Sequence, residues 1–516
     1  MLADLLAGVD TLAVRGPTGV EVRRLVLDSR AVRPGDAFFA LPGVRTDGAR
    51  FAAAAAAAGA VAVFAAPGLA GAPGPGSPAQ VDVAEPRLAL AQAAVRFHGD
   101  PSRAMRVVAV TGTNGKTTTS WLVEAIASAA GWRAGLIGTT GVRVAGEPRP
   151  SPFTTPEAPE LQALFAEMRD AGVRCVTFEA SSHALAQRRA WGTACDACVF
   201  TNLTQDHLDY HGTMEAYLDA KLRLFDGRNG GGGKTCVAVV NADDPHADAV
   251  TAAAARGGMR VLRFGSAAAV AGRDGVAIED IGARADGISL RVRARGLAPP
   301  GTAPGDGTAT GDGAVALALP LLGRVNAWNA SAALAVAGAL GLPAARAAAA
   351  LEAFPGVPGR LERVGPSRGF AVVVDYAHTP DALERALAAC REHSAGRVLL
   401  VFGCGGERDR GKRPLMGAAA ARGADRAWVT NDNPRGEDPA AIAAEIVAGD
   451  PGGRLLVELD RRAAISAALA DARPGDIVLI AGKGHETTQT VGREVLPFDD
   501  RVVARALLAG GGAGSA

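Results

Sequence analysis

Along most of the chain, short β-branched and aliphatic runs stop at glycine or polar residues, then give way to Ala/Leu-rich stretches with helical spacing. VVAVTGTNG, VRCVTFEASS, ACVFTNLTQ, FAVVVDYAH, RVLLVFGCGG, RAWVTNDNP and DIVLIAGKG all have this form. Apolar runs without alternation suit strands covered on both faces, and strands alternating with helices predict an α/β fold of mostly parallel, doubly wound sheets. Such sheets bind ligands just beyond the carboxyl ends of their strands. The polar clusters of this chain follow the apolar runs directly, so the candidate chemistry lies at those ends.

Punctuation divides the pattern into three predicted domains, residues 1–104, 105–355 and 356–516, the last beginning after the Pro/Gly-rich FPGVPGR. Residues 67–79 read as a surface loop, 297–313 as a flexible insertion, and the tail AGGGAGSA as disordered.

Composition narrows the picture. A chain of 516 residues has room for two to four domains. A net charge of +1 gives no global attraction to nucleic acid or anionic membranes. MLADLLAGVD lacks the basic start of a signal peptide, and FAAAAAAAGAVAVFAA is too short to span a bilayer, so a soluble, cytoplasmic protein is expected, and separately a monomer. Six cysteines form no disulfide framework, and the Cys195/Cys198 pair reads as two small apolar residues in a strand.

The most specific signal is VVAVTGTNGKTTTS, a strand, a glycine-rich turn and a helix start. Backbone N–H groups of Gly112, Thr113, Asn114, Gly115 and Thr118, with the positive helix end, can cradle phosphate oxygens. Lys116 adds a point charge, and the Thr117 hydroxyl can reach Mg²⁺. Val110 stands where the usual phosphate-loop pattern has its first glycine. Glu179 and His207 each end a strand run and could hold Mg²⁺ beside that loop. Lys221, in MEAYLDAKLRLF, reads on its own as a solvated lysine. Asp375 and His378 read either as a ribose-binding pair or as a capping cluster before PDALERAL.

In order, the chain carries LDSR, TGTNGKTTT, TTPEA, EASSHALAQRR, TNLTQDHLDYHGTMEAYLDAK, GRVNAWNASAALA, PGRLERV, DYAHTPDAL, GCGGERDRGKRP, DNPR and GKGHE. With these motifs it resembles the Mur ligase family, from about LDSR to GKGHE. The resemblance implies an N-terminal UDP-binding domain, a central P-loop ATP-binding domain and a Rossmann-like C-terminal domain. It implies ATP-dependent, ADP-forming amide synthesis through an acyl phosphate in peptidoglycan precursor synthesis. Carried over, Thr117 and Glu179 would hold one Mg²⁺ and His207 a second, and Lys221 matches a lysine that is carbamylated in the family. Leu27 and Ser29 would touch uridine. Thr154, Thr155, Ser181, Gln187 and Arg189 would hold the muramoyl-dipeptide portion, and Asn326, Asn329, Arg360, Asp375 and His378 would bind ATP. Val44, Arg45 and Thr46 occupy the place of a UDP-sugar loop without matching it.

The amino-acid substrate turns on DNPR. In the family this sequence marks members that add meso-diaminopimelate to the D-Glu of UDP-MurNAc-L-Ala-D-Glu. Arg435 offers a planar fork for a far carboxylate, Pro434 stiffens the turn, and Asn433 beside Asp432 can both donate and accept. Arg408, Gly482 and Glu486 would complete the pocket, with Glu486 suited to the far ammonium. L-Lysine would leave Arg435 desolvated and unpaired, a discrimination on the order of 10⁴-fold. The rivals are an L-lysine-adding Mur ligase, a folylpolyglutamate synthase-like ligase and a nucleotide-switch ATP-binding protein.

Overall fold

The computed structural model describes residues 1–43, 47–69, 76–151, 153–284, 286–297, 313–365 and 369–510. Val44, Arg45 and Thr46, residues 70–75 of the 67–79 loop, the 297–313 insertion except its two ends, and all but the first two residues of the tail lie outside the described residues. Internal contacts group the chain into two compact units: Met1–Ala277 with Arg293–Gly313 and Ser331–Ala347, and Ile278–Val292 with Ala314–Ala330 and Ala348–Ala516.

The first unit opens with five strands, β1 (Ala13–Arg15), β2 (Arg24–Val26), β3 (Asp36–Phe39), β4 (Ala62–Ala65) and β5 (Ala79–Asp82), in the order β1-β5-β4-β3-β2. Only β1 is antiparallel to its neighbour. Phe39 and Phe64 stack with centroids 4.2 Å apart inside this sheet's core. Ala158 and Trp191 pack into the core of this first sheet, and the ion pairs Arg87–Glu157 and Arg188–Glu85 add to that link between the N-terminal segment and the following one.

The larger sheet of this unit contains β6 (Arg106–Thr111), β7 (Ala134–Gly138), β8 (Gly141–Val144), β9 (Glu147–Arg149), β10 (Cys175–Glu179), β11 (Ala197–Phe200), β12 (Val237–Asn241) and β13 (Arg260–Ser266). They run β13-β12-β11-β6-β10-β7-β8-β9, parallel from β13 to β7, and antiparallel across β8 and β9. Chain order reverses on either side of β6, where β10 and β11 flank it, so the carboxyl end of β6 is a topological switch point. Strands β14 (Gly275–Arg284), β15 (Gly287–Arg295) and β16 (Gly313–Leu319) follow, and the division between the units runs through them.

The second unit contains β17 (Glu362–Arg363), β18 (Ala371–Asp375), β19 (Val398–Phe402), β20 (Arg426–Val429), β21 (Leu455–Val457) and β22 (Ile477–Ala481), in the order β17-β18-β22-β19-β20-β21. All pairs are parallel except β17 with β18. Strand β19 shows why its sequence is uninterruptedly apolar. Val398, Leu400 and Phe402 enter one core with Leu383 and Met416, while Leu399 and Val401 enter the other with Ile465 and Leu508. A hairpin, β23 (Thr488–Val491) with β24 (Glu494–Pro497), follows β22. All seven apolar runs singled out from the sequence are strands of these parallel sheets. Among the described residues no helix is long and apolar enough to cross a membrane.

Candidate active site

The phosphate loop leaves β6 and enters the helix Lys116–Ala129. Gly112 has φ +143°, and a Cβ there would stand 1.9 Å from Thr201 Oγ1, so only glycine fits. The loop is stapled to the turn after β11. Asn202 O accepts from Thr113 N (2.8 Å), Asn202 Oδ1 accepts from Asn114 N (2.9 Å), and Thr201 Oγ1 donates to Asn114 O (2.6 Å). Gly115 caps the helix in the left-handed region, and the half-buried Thr118 lies in its first turn. Lys116 Nζ donates to Gly112 O (2.9 Å) and Thr113 O (2.8 Å), folded over the loop it would share with a phosphate.

Glu179, fully buried at the end of β10, is the second element. Its carboxylate accepts from Thr117 Oγ1 (3.1 Å), Thr139 N (2.8 Å) and Thr139 Oγ1 (3.1 Å). A Cβ on Gly138 would stand 2.3 Å from Glu179 Oε1, so this glycine makes room for the acid. Thr154 Oγ1 lies 3.1 Å from Thr139 Oγ1, and Thr155 Oγ1 donates to the Glu179 carbonyl (2.6 Å) and to Ser181 Oγ (3.2 Å). Arg189 donates to Thr155 O (3.0 Å) and to Gln187 Oε1 (2.7 Å) and pairs with Glu157 (3.0 Å). The predicted dipeptide-binding residues therefore form one connected network beside the phosphate loop. Leu27 and Ser29 lie apart from it, half-buried beside β2, where Asp28 caps a short 3₁₀ turn.

Lys221 departs from the solvated reading: it is 1% exposed. Its Nζ donates to Gly112 O (2.8 Å) and stands 4.3 Å over the Tyr217 ring. Burial, with the Lys116 charge nearby, holds its pKa well below the ordinary lysine value. His207 has φ +54° and takes a place in a ring cluster, 4.7 Å from His183 and 6.1 Å from Tyr217. Burial also depresses the His207 pKa. The Tyr217 hydroxyl reaches Thr113 Oγ1 at 3.1 Å, linking the cluster to the phosphate loop. Of the four predicted metal residues, Thr117 and Glu179 meet directly, and both offer the hard oxygen ligands that suit Mg²⁺ beside a phosphate. No group of three or more His, Cys, Asp or Glu poised to hold a metal occurs among the described residues. As an amine, Lys221 supplies no oxygen ligand.

In the second unit, Asp375 ends β18 buried, and its carboxylate accepts from Leu361 N and Ala377 N, both at 2.8 Å. It thus fixes two backbone segments. The cap of helix Pro380–His393 is Thr379, not the Asp375/His378 pair. His378 Nδ1 meets Tyr376 O at 2.8 Å. Arg360 stacks over Tyr376 at 5.0 Å, and its buried Nε has no hydrogen-bond partner among the described residues. Asn326 Nδ2 donates to Leu322 O and Asn329 Nδ2 to Asn326 Oδ1, both at 2.8 Å.

The DNPR loop follows β20. Asp432, Asn433 and Pro434 are buried, and Arg435 adopts φ +50°. Arg435 donates through Nη1 to Gly406 O (2.7 Å), and its backbone pairs with Thr490 and Gly492 of the hairpin. Among the described residues its guanidinium has no carboxylate partner. Asn433 Nδ2 donates to Glu486 Oε2 (2.9 Å), and Gly482, at φ +112°, brings its backbone against Asp432. Arg408 is exposed on the neighbouring loop.

Three buried cations escaped the sequence reading. Lys483 lies under Asn433 and Glu486. Arg413, 0% exposed, joins Glu437 (3.0 Å), Glu445 (2.8 Å) and Gly405 O (3.3 Å). Arg461 makes a bidentate pair with Asp500 at 2.8 and 2.7 Å. Lys483 and Arg413 sit inside motifs already noted, GKGHE and GKRP, but a lysine or arginine in a loop gives no sign of burial. Cys195 and Cys198 are buried free thiols.

The chain matches three Mur ligase domain descriptions in order: the family's catalytic domain over residues 21–98, the middle domain over 110–337 and the glutamate ligase domain over 359–484. It is 42% identical to the UDP-N-acetylmuramoyl-L-alanyl-D-glutamate–2,6-diaminopimelate ligase of Synechococcus elongatus over 516 residues, which covers 98% of this chain and 99% of that one. It is 44% identical to the protein of the same name from Mesorhizobium japonicum, covering 98% of both. A solved structure of a ligase with that name is 35% identical and superposes with a TM-score of 0.66, covering 95% of each chain.

Proposed function

The chain belongs to the Mur ligase family, and on that premise we propose that it adds meso-diaminopimelate to the D-Glu of UDP-MurNAc-L-Ala-D-Glu at the expense of ATP. The single observation that carries the amino-acid choice is Arg435, a half-buried guanidinium held by main-chain carbonyls with no carboxylate partner among the described residues. The far carboxylate of diaminopimelate supplies the missing counter-charge in bidentate geometry. L-Lysine does not, and this disfavours the lysine-adding reading.

The substrate's γ-carboxylate oxygen attacks the γ-phosphorus, the bond to the β-phosphate oxygen breaks, and ADP leaves. The amine then attacks the acyl carbon, phosphate departs, and the nitrogen loses a proton. A carboxylate is a poor acylating group, and phosphorylation supplies the leaving group. In this reading the Gly112–Thr118 loop and Lys116 bind the β- and γ-phosphates. The Thr154, Thr155, Ser181, Gln187 and Arg189 network holds the dipeptide carboxylates, and Arg360 is one of the ATP-binding residues. Thr117 and Glu179 would hold Mg²⁺, which when bound neutralises charge on the phosphate oxygens. Lys221 is suited to carbamylation because burial and the nearby Lys116 charge favour its neutral amine, the form that attacks CO₂ to give a carbamate with release of one proton. Leu27 and Ser29 serve the uridine end. The three-domain division at 104/105 and 355/356 and a monomer working in the cytoplasm complete the reading.

Phosphate release with ATP, Mg²⁺ and UDP-MurNAc-L-Ala-D-Glu, with meso-diaminopimelate or L-lysine added, tests it. Turnover that requires diaminopimelate is the expected result. A preference for lysine would remove the role given to Arg435, and release indifferent to both amino acids would remove the ligase reading.

A further inference from the structure

Beneath the DNPR loop lies a lysine with no exposed surface and no place in the substrate contacts proposed above. Lys483 Nζ donates to Thr488 O (2.6 Å), Glu486 Oε2 (3.2 Å) and Asn433 Oδ1 (3.4 Å), and stands 3.8 Å from Asp432 Oδ1. It therefore joins three separate pieces of chain: the DNPR loop, the GKGHE loop and the first strand of the hairpin.

These contacts set the orientation of the groups around it. Asn433 Oδ1 accepts from Lys483 and from Thr490 N (2.9 Å), while its Nδ2 donates to Glu486 Oε2 (2.9 Å) and Asp432 Oδ1 (3.2 Å). Turning the amide over would set its NH₂ against an ammonium and an N–H, and its oxygen against two carboxylates. Among the described residues Glu486 is anchored through Oε2 alone, by Asn433 and Lys483 together. The neighbouring Arg461 and Asp500 cancel each other, so around the Asn433 amide Asp432 and Glu486 against Lys483 leave one net negative charge for an incoming ammonium, while the Arg435 charge is left for the far carboxylate.

We infer that Lys483 is a positioning residue for the far ammonium of the amino-acid substrate. It holds Glu486 by one carboxylate oxygen so that the other faces the ligand, and it locks the Asn433 amide in the one orientation compatible with that arrangement. It does not touch substrate. The inference rests on the reading of this pocket as the diaminopimelate site.

The test compares two amino acids on the full-length enzyme: meso-diaminopimelate, and 2-aminopimelate, which keeps the chain length and far carboxylate but carries hydrogen in place of the far amino group. Lys483→Met is expected to raise KM for diaminopimelate by about 10- to 100-fold, the loss from removing a hydrogen bond to a charged group. kcat and the KM for 2-aminopimelate should hold near wild type, and Lys483→Arg should recover part of the loss. In a Glu486→Gln background the Lys483 change should add little, because the two act as one unit. An equal rise in both KM values would mean that Lys483 only holds the loops in shape, and no rise in either would mean that it does not position the ammonium group; both overturn the inference. If Lys483→Met does not fold, Lys483→Gln, which retains a donor for Thr488, carries the same comparison. The underlying reading fails separately, if the wild-type enzyme shows no preference for diaminopimelate over lysine.

Discussion

Two buried lysines, one in each unit, are treated in opposite ways. Lys221 is set on a carbonyl and an aromatic face, with another cation, Lys116, nearby, and its pKa falls well below the ordinary lysine value. Lys483 is wrapped by Glu486, Asp432, Asn433 and a carbonyl. The first environment disfavours charge and leaves an amine free to react. The second opposes an ammonium with two carboxylates. The difference teaches that burial alone does not tell what a lysine is for: the counter-charge around it does. The phosphate region withholds that counter-charge, and the acceptor pocket is built from it.

The sharpest way to break this contrast is at Arg435, where the proposed acceptor pocket shows a guanidinium with no carboxylate partner among the described residues. Arg435→Ala should abolish most of the preference for meso-diaminopimelate over L-lysine, a change approaching 10⁴-fold in the ratio of kcat/KM values. Steady-state phosphate release with each amino acid measures it. A variant that still discriminates strongly would move recognition of the far carboxylate to another residue.

A second contrast concerns stability. Asp500→Asn breaks the fully buried bidentate pair with Arg461 and should cost about 3–5 kcal/mol, because it leaves an uncompensated guanidinium in the core. Lys221→Met removes an amine that is already costly to charge, and Gly112 O keeps Lys116 as a donor. It should leave stability unchanged or slightly raised while activity falls by about 10²-fold or more. Denaturant titration of both variants decides the point. If Lys221→Met proves as destabilising as Asp500→Asn, Lys221 is a structural cation and the contrast is lost. With ¹³C-labelled bicarbonate, wild-type protein should also show a carbamate carbon resonance that Lys221→Met lacks.

Much of this was legible in the sequence because it is local. Gly115, Lys116 and Thr117 stand together at a strand-to-helix junction, and Asp432 to Arg435 follow a strand directly, so spacing alone places their chemistry. Glu179 was legible as the end of a strand, though its donors Thr117 and Thr139 come from elsewhere in the chain. The buried cations were not legible. Arg413 meets Glu437 and Glu445, Arg461 meets Asp500, and Lys483 meets Asn433, each across a separation in sequence that no local pattern encodes. Lys221 misled for a related reason: it lies in the helix Met214–Leu222, on a stretch where a lysine reads as solvated, and the packing of Tyr217 and Gly112 around it takes it out of water. The left-handed Arg435, fixed by pairing with the hairpin, is likewise a tertiary fact.

The smallest expected effect again concerns withheld charge, this time on a ring. Burial, with His207 and His211 close by, pushes the His183 pKa down to about 4. In the unfolded chain the same group titrates near its ordinary 6.5. Between those values the unfolded state binds more protons than the folded one, so stability rises with pH through this window and is lost as pH falls from about 6.5 toward 4. Burial lowers His207 and His211 as well, so they contribute slope of the same sign. Replacing His183 with asparagine should flatten the pH dependence of the melting temperature between pH 7 and 5 without erasing it, and should leave the value at pH 7.5 nearly unchanged. A variant with the wild-type slope would mean that His183 does not carry the withheld proton, and the acid sensitivity of the phosphate region would then rest on its two neighbours.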